Sequence, residues 1–250
     1  MDYDKTNVPS TYDAGRDTSP EAKASFLGAF AAKTGTDVID RIIDIGCRTG
    51  RYTQALSEIF GADVLGVEPS EKMREQAEGK ATSPRLSFTA GSGNQIPAPD
   101  GSTDLIFMSM VIHHLPDIAA TAAECARVLR PGGYVCIWNT VADEAGTYPY
   151  LDVFPSIRGI IEGKLTFREV LDGHFASAGL DLHHREIVPH VVAADWQTLA
   201  EKMALRADSF VAQLPDDEYQ AGLQALSKLA TTADSRPSVL QVDQIIYRRR

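Results

Sequence analysis

The stretch IIDIGCRTG, residues 42–50, places an acidic residue and two glycines directly after a run of β-prone residues. A buried strand that runs into a glycine-rich bend is typical of loops that hold a nucleotide-like ligand. Gly46 would let the backbone approach a ligand more closely than any side chain permits. Arg48, however, stands in the middle of the bend, where a third glycine would be expected. Whether the loop holds a cofactor therefore depends on where this side chain goes.

A second acidic residue, Glu68, ends the next predicted strand, 24 residues after Asp44. In a doubly wound sheet, an acid at this place is positioned to accept hydrogen bonds from the two hydroxyls of a ribose. A glycine loop alone is a weak signal. Strand, glycine loop, helix, strand and terminal acid in this order predict a site for a ribose-containing ligand.

The elements that must position these residues follow from the hydrophobic pattern. Short apolar strands alternate with helical stretches from about residue 20 to residue 140, as in a parallel sheet with helices on both faces. The first helix has Ser19 as N-cap, Pro20 at its first position and Gly35 as its stop. Strands are predicted at 41–46, 63–68, 85–90, 103–110 and 134–139, and a helix over 117–129 that is stopped by a turn, RPGG, at 130–133.

The rhythm changes after residue 140. Residues 143–156 are rich in aromatics and proline and are predicted to form an ordered loop, and Thr166 with Glu169 predicts a capping box for a helix that ends at Gly179. Later elements are predicted as a strand at 183–192, helices at 194–213 and 216–232, and a strand at 242–250. We therefore predict an α/β fold with a doubly wound, mostly parallel seven-stranded sheet, Rossmann-like, and a small helical cap inserted late in the chain.

The composition narrows the class of function. Apolar residues make up 44% and charged residues 23% of the 250 residues, as in soluble globular proteins. The net charge of −10 argues against nucleic acid as a partner, because a phosphate backbone must be met by clustered cations. The three cysteines are far apart, which indicates neither a zinc site nor a disulfide framework. The N-terminus has no apolar signal region and no run approaches about 18 apolar residues, so we expect a cytoplasmic protein with no membrane partner.

Taken together, the motifs resemble the class I S-adenosylmethionine-dependent methyltransferases, in particular the small-molecule group whose first motif reads Asp-x-Gly-Cys-x-x-Gly. The resemblance covers roughly the first 140 residues, and the remainder matches only in architecture. It lies in TYDAGRDTSP (11–20), DIGCRTGRYT (44–53), GVEPSEKM (66–73), GSGNQIPAPDGSTDLIFMSMVIHHLPD (91–117) and ARVLRPGGYVCIW (126–138). It implies S-adenosylmethionine as cofactor, with an N-terminal arm or lid at 1–19, a cofactor-binding core at 20–140, and the remaining strands with the cap at 141–250.

The resemblance also implies roles for single residues at the donor end. Gly46 and Cys47 would pass beneath the methionine portion of the cofactor. Arg16 would pair with the methionine carboxylate, a task that suits a guanidinium fork. Tyr12 would close over the sulfonium. Asp44 is also assigned to the cofactor site, and anchoring the amides of the loop would explain it as well.

At the nucleoside end, Glu68 would bind the ribose hydroxyls and Pro69 would pack on the adenine. Met108 and Ser109 would present backbone groups to the methionine amine. Two departures from the family pattern stand out, Arg48 for a glycine and Ser92 for an aspartate that accepts the adenine amino group. A serine hydroxyl can accept the same bond. The segment that holds Ser92 and Gly93 therefore stays in the predicted site.

Two histidines and three aromatic residues are candidates for the acceptor side. His113 and His114 follow the fourth strand, where an imidazole could take a proton from a substrate. For either histidine alone, capping of the next helix or packing under the sheet edge is the favoured interpretation. Tyr148, Tyr150 and Phe154 could wall an acceptor pocket, since such pockets are mostly apolar, or could pack the cap.

The leading hypothesis is an enzyme that transfers a methyl group from S-adenosylmethionine to a small-molecule acceptor by in-line displacement. Because the sulfonium is already electrophilic, proximity and orientation can supply much of the rate, and nothing indicates a metal. O-, N- and C-methylation all stay open. The alternatives are a nicotinamide dehydrogenase, which the missing G-x-G-x-x-G spacing disfavours, and a non-catalytic module that retains the fold and binds an S-adenosyl ligand or another small molecule.

Overall fold

A seven-stranded sheet forms the middle layer of the protein. The structure, a computed structural model, describes residues 4, 8–16, 18–232 and 235–250, and the strand order is β3-β2-β1-β4-β5-β7-β6. β7 runs antiparallel to both of its neighbours, and the remaining pairs are parallel. The strands are β1 (Arg41–Ile45), β2 (Asp63–Val67), β3 (Leu86–Thr89), β4 (Thr103–Ser109), β5 (Leu129–Asn139), β6 (Leu180–Ala193) and β7 (Ser238–Arg249). The predicted fold class is confirmed.

Nine helices of the described segments cover this sheet. They are α1 (Val8–Arg16), α2 (Pro20–Thr34), α3 (Thr53–Phe60), α4 (Glu71–Lys80), α5 (Ile118–Val128), α6 (Ile157–Glu162), α7 (Arg168–Ser177), α8 (Trp196–Ala204) and α9 (Asp216–Thr232). α2 begins as predicted, since the Ser19 hydroxyl accepts the N–H of Ala22 at 3.2 Å and Pro20 follows it. Gly35, with φ of 76°, ends it. None of the helices in the described ranges is both long and apolar enough to cross a membrane.

The centre of the sheet explains where a ligand can bind. β1 and β4 lie side by side, and six successive residues of β4 are buried, which is usual for a strand covered on both faces. The chain turns to opposite sides from these two strands, so the loops after them flank a crevice at their carboxyl ends. Residues 46–52 and 110–117 form those two loops.

Two apolar layers hold the helices and the cap to the sheet. On one face, Phe26 of α2 stacks on Trp138 of β5 with ring centroids 4.5 Å apart, and the same cluster of buried residues extends into the cap. On the other face, Phe175 of α7 stacks on Tyr247 of β7 at 4.4 Å. The late helices α6, α8 and α9, which form the cap, therefore share one hydrophobic core with α2 and the sheet.

The predicted turn RPGG is part of a strand. β5 begins at Leu129, and its pairing with β4 jumps from Leu129 to Tyr134 while β4 advances only from Thr103 to Leu105. The intervening residues bulge out of the ladder, with Gly132 at a φ of 80°. The chain does turn at RPGG, as predicted. The turn, however, is a bulge within β5 and does not precede the strand.

The capping box at Thr166 and Glu169 was wrong. α7 begins at Arg168, and its N-cap residue Phe167 makes no side-chain capping bond. Instead, Asp143 of the loop accepts the backbone N–H of Arg168 at 2.9 Å, so a residue distant in sequence caps this helix.

The helix predicted at 194–213 is shorter than expected. α8 ends at Ala204, and Arg206 has a left-handed φ of 49° that breaks the helical path. The chain then turns at Asp208, whose carboxylate accepts the N–H of Phe210 at 2.8 Å. No glycine or proline marks this break, which is why the pattern extended the helix to the next proline.

Candidate active site

The loop after β1 is built around three residues with left-handed backbone. Gly46, Arg48 and Gly50 have φ values of 67°, 54° and 72°. The N–H of Gly46 donates to the carbonyl of Val67 at 2.8 Å, which ties the loop to β2. A Cβ on Gly46 would lie 2.5 Å from Cγ2 of Val111, which is in the loop after β4. Gly46 is thus fixed by its conformation and by the close approach of the two loops.

Arg48 occupies a position that needs the conformation glycine adopts without strain. A left-handed φ costs a side-chain-bearing residue about 1–2 kcal/mol. The strain is offset locally, because the backbone N–H of Arg48 donates to Oε2 of Glu68 at 3.2 Å. The charge of the guanidinium acts on Tyr12, His113 and His114, so the side chain lies among the predicted site residues.

Glu68 is fully buried at the end of β2. Besides Arg48, it binds the N–H of Ser70, which donates to Oε1 at 3.0 Å. Pro69 lies between Glu68 and Ser70, at the turn into α4. The carboxylate of Asp4 lies over the start of α4, where it accepts the Ser70 hydroxyl at 2.7 Å and the N–H of Lys72 at 3.1 Å. The predicted ribose acid thus has two backbone partners, and the arm reaches the same helix terminus.

Two more predicted residues, Asp44 and Cys47, lie at the end of β1 and in the loop after it. Asp44 is buried and accepts the hydroxyl of Thr53 at 2.7 Å, so it fastens the start of α3 to β1. Burial, with a further contribution from Glu68, raises the pKa of Asp44 to about 7. Burial also raises the pKa of the Cys47 thiol well above its usual value, so Cys47 stays protonated at neutral pH.

Ser92 and Gly93 follow β3 at the same edge of the sheet. Ser92 forms an isolated β-bridge with Gln95, which makes a tight turn. A Cβ on Gly93 would lie 2.8 Å from Oγ1 of Thr121, so the turn is pressed against α5. The geometry explains why residue 93 is glycine without reference to a ligand.

Met108 and Ser109 end β4, next to β1. Met108 is fully buried, and the buried hydroxyl of Ser109 has no hydrogen-bond partner within the part of the chain that the structure describes. Buried polar atoms are nearly always satisfied, so an orphaned hydroxyl at a sheet edge indicates a ligand or a water. A ligand with a polar group, such as the methionine amine of the expected cofactor, fits this position.

The arm closes over the loop as a helix. Tyr12 of α1 is buried against Met73 of α4, and Asp13 binds the Thr49 hydroxyl and, at 2.5 Å, the ammonium of Lys80. Burial opposes ionisation of Tyr12, yet the surrounding arginines lower the pKa of its hydroxyl below the usual value. The environment of Tyr12 is therefore strongly positive. The part of the predicted arm at 1–3, 5–7 and 17 lies outside the described residues.

Asp208 joins the arm to the cap. Its Oδ2 forms an ion pair with Nη1 of Arg16 at 2.7 Å and accepts the hydroxyl of Tyr150 at 3.0 Å, while Oδ1 accepts the N–H groups of Phe210 and Val211. Asp208 was missed in the sequence, because it lies in the cap, where no motif could be interpreted. The role predicted for Arg16, binding the methionine carboxylate, would compete with Asp208 for one guanidinium.

The two histidines lie in a 3₁₀ helix, Ile112–His114, just past the orphaned Ser109. Their rings are 4.2 Å apart, and the ring of His113 lies 5.0 Å from that of Phe210 in the cap. Burial, followed by the charge of Arg48, lowers the pKa of His113 to about 3, and burial with the charge of His113 lowers the pKa of His114 further. Both rings are neutral at physiological pH. Nδ1 of His113 is buried and unsatisfied among the described residues, so it is available to a ligand.

The three aromatic residues of the predicted acceptor wall contact one another in a row, with the ring of Phe154 6.3 Å from that of Tyr150. Tyr148 packs edge-on against Phe210 at 5.5 Å and lies 5.6 Å from Tyr150, so both tyrosines belong to the cluster around His113. Phe154 is fully buried inside the cap, where a Cβ on Gly222 of α9 would lie 2.0 Å from its ring. Phe154 thus packs the cap, and Phe210, which the sequence did not single out, contacts His113.

A small cavity lies where these segments meet. It measures about 20 Å³, and its lining includes the predicted residues Tyr12, Arg16, Asp44, Gly46, Cys47 and Ser109 together with Arg48. This is room for little more than one water molecule. The arm, the loop after β1 and the end of β4 thus meet around this cavity.

The comparisons with known proteins agree with this geometry. A family described as "Methyltransferase domain" matches residues 43–137, from β1 to β5. An uncharacterized methyltransferase of Schizosaccharomyces pombe is 33% identical over 141 residues, which are 52% of this chain and 49% of that protein. The 27-O-demethylrifamycin SV methyltransferase of Amycolatopsis mediterranei is 28% identical over 179 residues, 65% of this chain and 62% of that protein. The chain thus spans about half to three fifths of these relatives.

A solved structure shows that the whole architecture is shared. A candidate methyltransferase from an antibiotic biosynthesis pathway of Anabaena variabilis ATCC 29413 matches with a TM-score of 0.73, covering 90% of this chain and 97% of that one at 20% identity. The motifs at 44–50 and 66–69 lie in the same positions of the fold that the sequence resemblance assigned to them. Residues 43–137 of this chain thus form a methyltransferase domain, as the resemblance to the class I S-adenosylmethionine-dependent methyltransferases predicted.

Proposed function

We propose that this chain transfers a methyl group from S-adenosylmethionine to a small-molecule acceptor. The observation that carries the proposal is the cavity at the carboxyl ends of β1 and β4, where Tyr12, Gly46 and Ser109 meet. When bound, S-adenosylmethionine supplies an electrophilic methyl group on a sulfonium. The chain has to bind it, orient it and exclude water, and proximity of this kind can account for much of a rate enhancement.

The donor's nucleoside would bind along the ends of β2 and β3. Glu68 keeps a lone pair for each ribose hydroxyl, because a carboxylate can accept about four hydrogen bonds and Arg48 and Ser70 occupy one on each oxygen. Pro69 would contact the adenine face. Ser92 would accept the adenine amino group at the turn made tight by Gly93.

The methionine end would bind in the cavity itself. Ser109, with its unsatisfied hydroxyl, and the end of Met108 would receive the amine. Arg16 would pair with the carboxylate, exchanging Asp208 for the ligand or sharing the guanidinium between them. Tyr12 would cover the sulfonium, and its burial in α1 excludes water from that end.

The acceptor would approach from the cap, past the cluster of His113, Tyr148, Tyr150 and Phe210. His113 is neutral and has an unsatisfied nitrogen, so it can accept a hydrogen bond or a proton from the acceptor. Buried aromatic walls suit an organic molecule rather than a charged polymer. The rifamycin-type acceptor named for the Amycolatopsis relative is consistent with this class.

Calorimetric titration tests the proposal directly. We expect S-adenosylmethionine and S-adenosylhomocysteine to bind and NAD to give no heat, and we expect S-adenosylhomocysteine to accumulate when the protein is supplied with donor and a library of small acceptors. Binding of NAD with no response to either adenosyl ligand would overturn the assignment. Donor binding with no turnover across the library, together with turnover on a protein or nucleic acid, would overturn the small-molecule acceptor.

A further inference from the structure

A second cavity lies beside the donor cavity, between the arm, the end of β4 and the cap. It measures about 60 Å³, and Arg16, Arg51, Tyr52 and Met110 line both cavities. Its remaining walls come mostly from β5, β6 and α8. The space is enough for a few water molecules or for one small polar group of a larger ligand.

The walls of this cavity combine basic and apolar groups. Arg16, Arg51 and Lys202 are its basic groups, the neutral ring of His190 lies among them, and no aspartate or glutamate among the described residues lines the cavity. This is unusual in a chain with a net charge of −10. The apolar side is formed by Trp138, Met110, Met203 and Leu240.

Arg51 is the basic group best placed to bind a ligand. Its Nη2 donates to the hydroxyls of Thr18 and Tyr52, each at 3.1 Å, which holds the guanidinium in place. Its Nε is buried and has no partner among the residues described, and no described carboxylate forms an ion pair with it. The nearby acids are engaged elsewhere: Asp208 with Arg16, and Asp13 with Lys80.

The pKa shifts of the titratable groups around the cavity indicate a positive electrostatic potential. Burial lowers the pKa of His190 to about 4, and Arg16, Arg51 and Lys202 lower it in addition. The same arginines, with Arg48, lower the pKa of Tyr12 in the donor cavity. A cationic sulfonium would have to enter this field, which favours a second ligand that brings negative charge.

We propose that the methyl acceptor is an apolar carboxylic acid and that Arg51 binds its carboxylate. The inference rests on the proposed function and names the acceptor class. A fixed guanidinium with an open Nε is suited to a carboxylate, because Nη2 already donates to two hydroxyls and the Nε–H remains to form a charge-assisted bond to a carboxylate oxygen. The space available suits one carboxylate. The side chains of Trp138 and Met203 suit the hydrocarbon part of the acid. Arg51 is a specificity residue here, because it contacts the acceptor at a distance from the transferred methyl group.

The experiment uses the full chain saturated with S-adenosylhomocysteine, whose own carboxylate then occupies its subsite. Benzoate, phenylacetate and octanoate are titrated by calorimetry, each against its neutral amide. We expect at least one acid to bind tenfold or more tightly than its amide. We expect Arg51→Met to abolish that preference, and Arg51→Lys, which keeps the charge but has no Nε–H donor at this position, to retain part of it. Arg158→Met, which removes an exposed arginine of α6, is the matched control and should keep the preference.

Three results would overturn the inference: equal binding of every acid and its amide, a preference that persists in Arg51→Met, or a loss of S-adenosylhomocysteine affinity in Arg51→Met as large as the loss of acid affinity. The last result would assign the arginine to the donor. Thermal melting of Arg51→Met and Arg51→Lys identifies a variant that is merely unfolded, and the other variant then decides. Failure of the wild-type chain to bind S-adenosylhomocysteine would overturn the proposed function instead, and is measured separately before any acid is added.

Discussion

The carboxylate of Glu68 holds Arg48 in its left-handed conformation, through the 3.2 Å bond from the Arg48 N–H to Oε2. One side chain therefore links β2 to the loop after β1, the two segments that the sequence assigns to opposite ends of the donor. The backbone of the arginine is held by this bond, and its side chain lines the cavity shared by Tyr12, Gly46 and Ser109.

Glu68→Ala is expected to weaken both the fold and the donor site. Because Glu68 is fully buried, its removal leaves the N–H groups of Arg48 and Ser70 without acceptors, at about 1–3 kcal/mol for each. From its position at a strand end alone, Glu68 would be expected to be replaceable without loss of the fold. Its bonds to the N–H groups of Arg48 and Ser70 instead predict a loss of stability. Glu68→Gln keeps one oxygen acceptor and should be the more stable variant.

Denaturant unfolding and calorimetry measure the two effects. We expect Glu68→Gln to remain folded and to bind S-adenosylhomocysteine at least tenfold more weakly, since a charge-assisted bond contributes about 1.5–3 kcal/mol. A folded Glu68→Gln variant with wild-type affinity would show that Glu68 does not bind the ribose.

Arg48→Gly is expected to stabilise the protein. Glycine adopts the φ of 54° without the cost of about 1–2 kcal/mol that arginine bears, although part of the gain is lost to the entropy of the unfolded chain. Arg48→Ala is the control, because alanine loses the charge but keeps the strain. Glycine should therefore be more stable than alanine by about 1 kcal/mol in urea unfolding.

The same pair of variants decides whether Arg48 blocks the donor. We expect S-adenosylhomocysteine affinity to change by less than about tenfold in either variant, or roughly 1.4 kcal/mol. A much larger gain on removing the side chain would mean that the arginine occupies the site. The non-catalytic binding module would then become the better interpretation of the chain.

Asp208→Asn is expected to release the arm from the cap. The ion pair with Arg16 is lost, while the asparagine oxygen can still accept the N–H of Phe210 and its NH2 can donate to the Tyr150 hydroxyl. Removing one partner from a partly buried charged bond costs about 1–3 kcal/mol. Limited proteolysis should cut within α1 faster than in the wild type, and a donor that binds Arg16 should restore protection.

Asp100→Asn supplies the control for that experiment. Its ion pair with Arg127 has the same length, 2.7 Å, but Asp100 is 80% exposed, and exposed pairs contribute little. Equal proteolysis of Asp208→Asn and Asp100→Asn would show that the Arg16–Asp208 pair does not hold the arm.

The sequence predicted the half of the fold whose elements are set by local signals. The helix after Ser19 begins and ends where its cap, proline and glycine indicate, and the strands before residue 140 lie within a few residues of their predicted positions. Loops and strand ends carry the site in this half, so their residues could be named in advance. The positive φ at Arg48 is the exception, because arginine carries no local signal for that conformation.

The cap was less predictable, because contacts between distant segments shape it. Asp143 caps α7 from 25 residues away, and Asp208 joins Arg16 across a separation of 192 residues. Neither bond leaves a pattern in the neighbouring sequence. The contact between Phe210 and His113 also joins distant segments and leaves no local pattern. The residues proposed for the acceptor side therefore could not be identified from the sequence of the cap.

The last prediction concerns pH, where two buried groups act in opposite directions. His113 has a pKa of about 3 in the folded protein and about 6.5 in the unfolded chain, so the unfolded chain binds more protons between those values. Stability from this group is therefore complete above about pH 6.5 and is lost as the pH falls towards 3, at up to about 1.4 kcal/mol per pH unit. His113→Gln should reduce the dependence on pH in this range.

Asp44 has the reverse dependence, because its folded pKa of about 7 lies above the pKa of 3.8 of a free aspartate. The folded protein binds the extra proton, so stability from Asp44 is present below about pH 4 and is lost as the pH rises through 7. Asp44→Asn keeps an acceptor for the Thr53 hydroxyl and removes the titration. Between pH 4 and 6.5 the unfolding free energy should thus rise more steeply with pH in Asp44→Asn than in the wild type, and less steeply in His113→Gln. Urea unfolding at closely spaced pH values measures both slopes, and changes of the same sign in the two variants would contradict the burial assigned to one of these side chains.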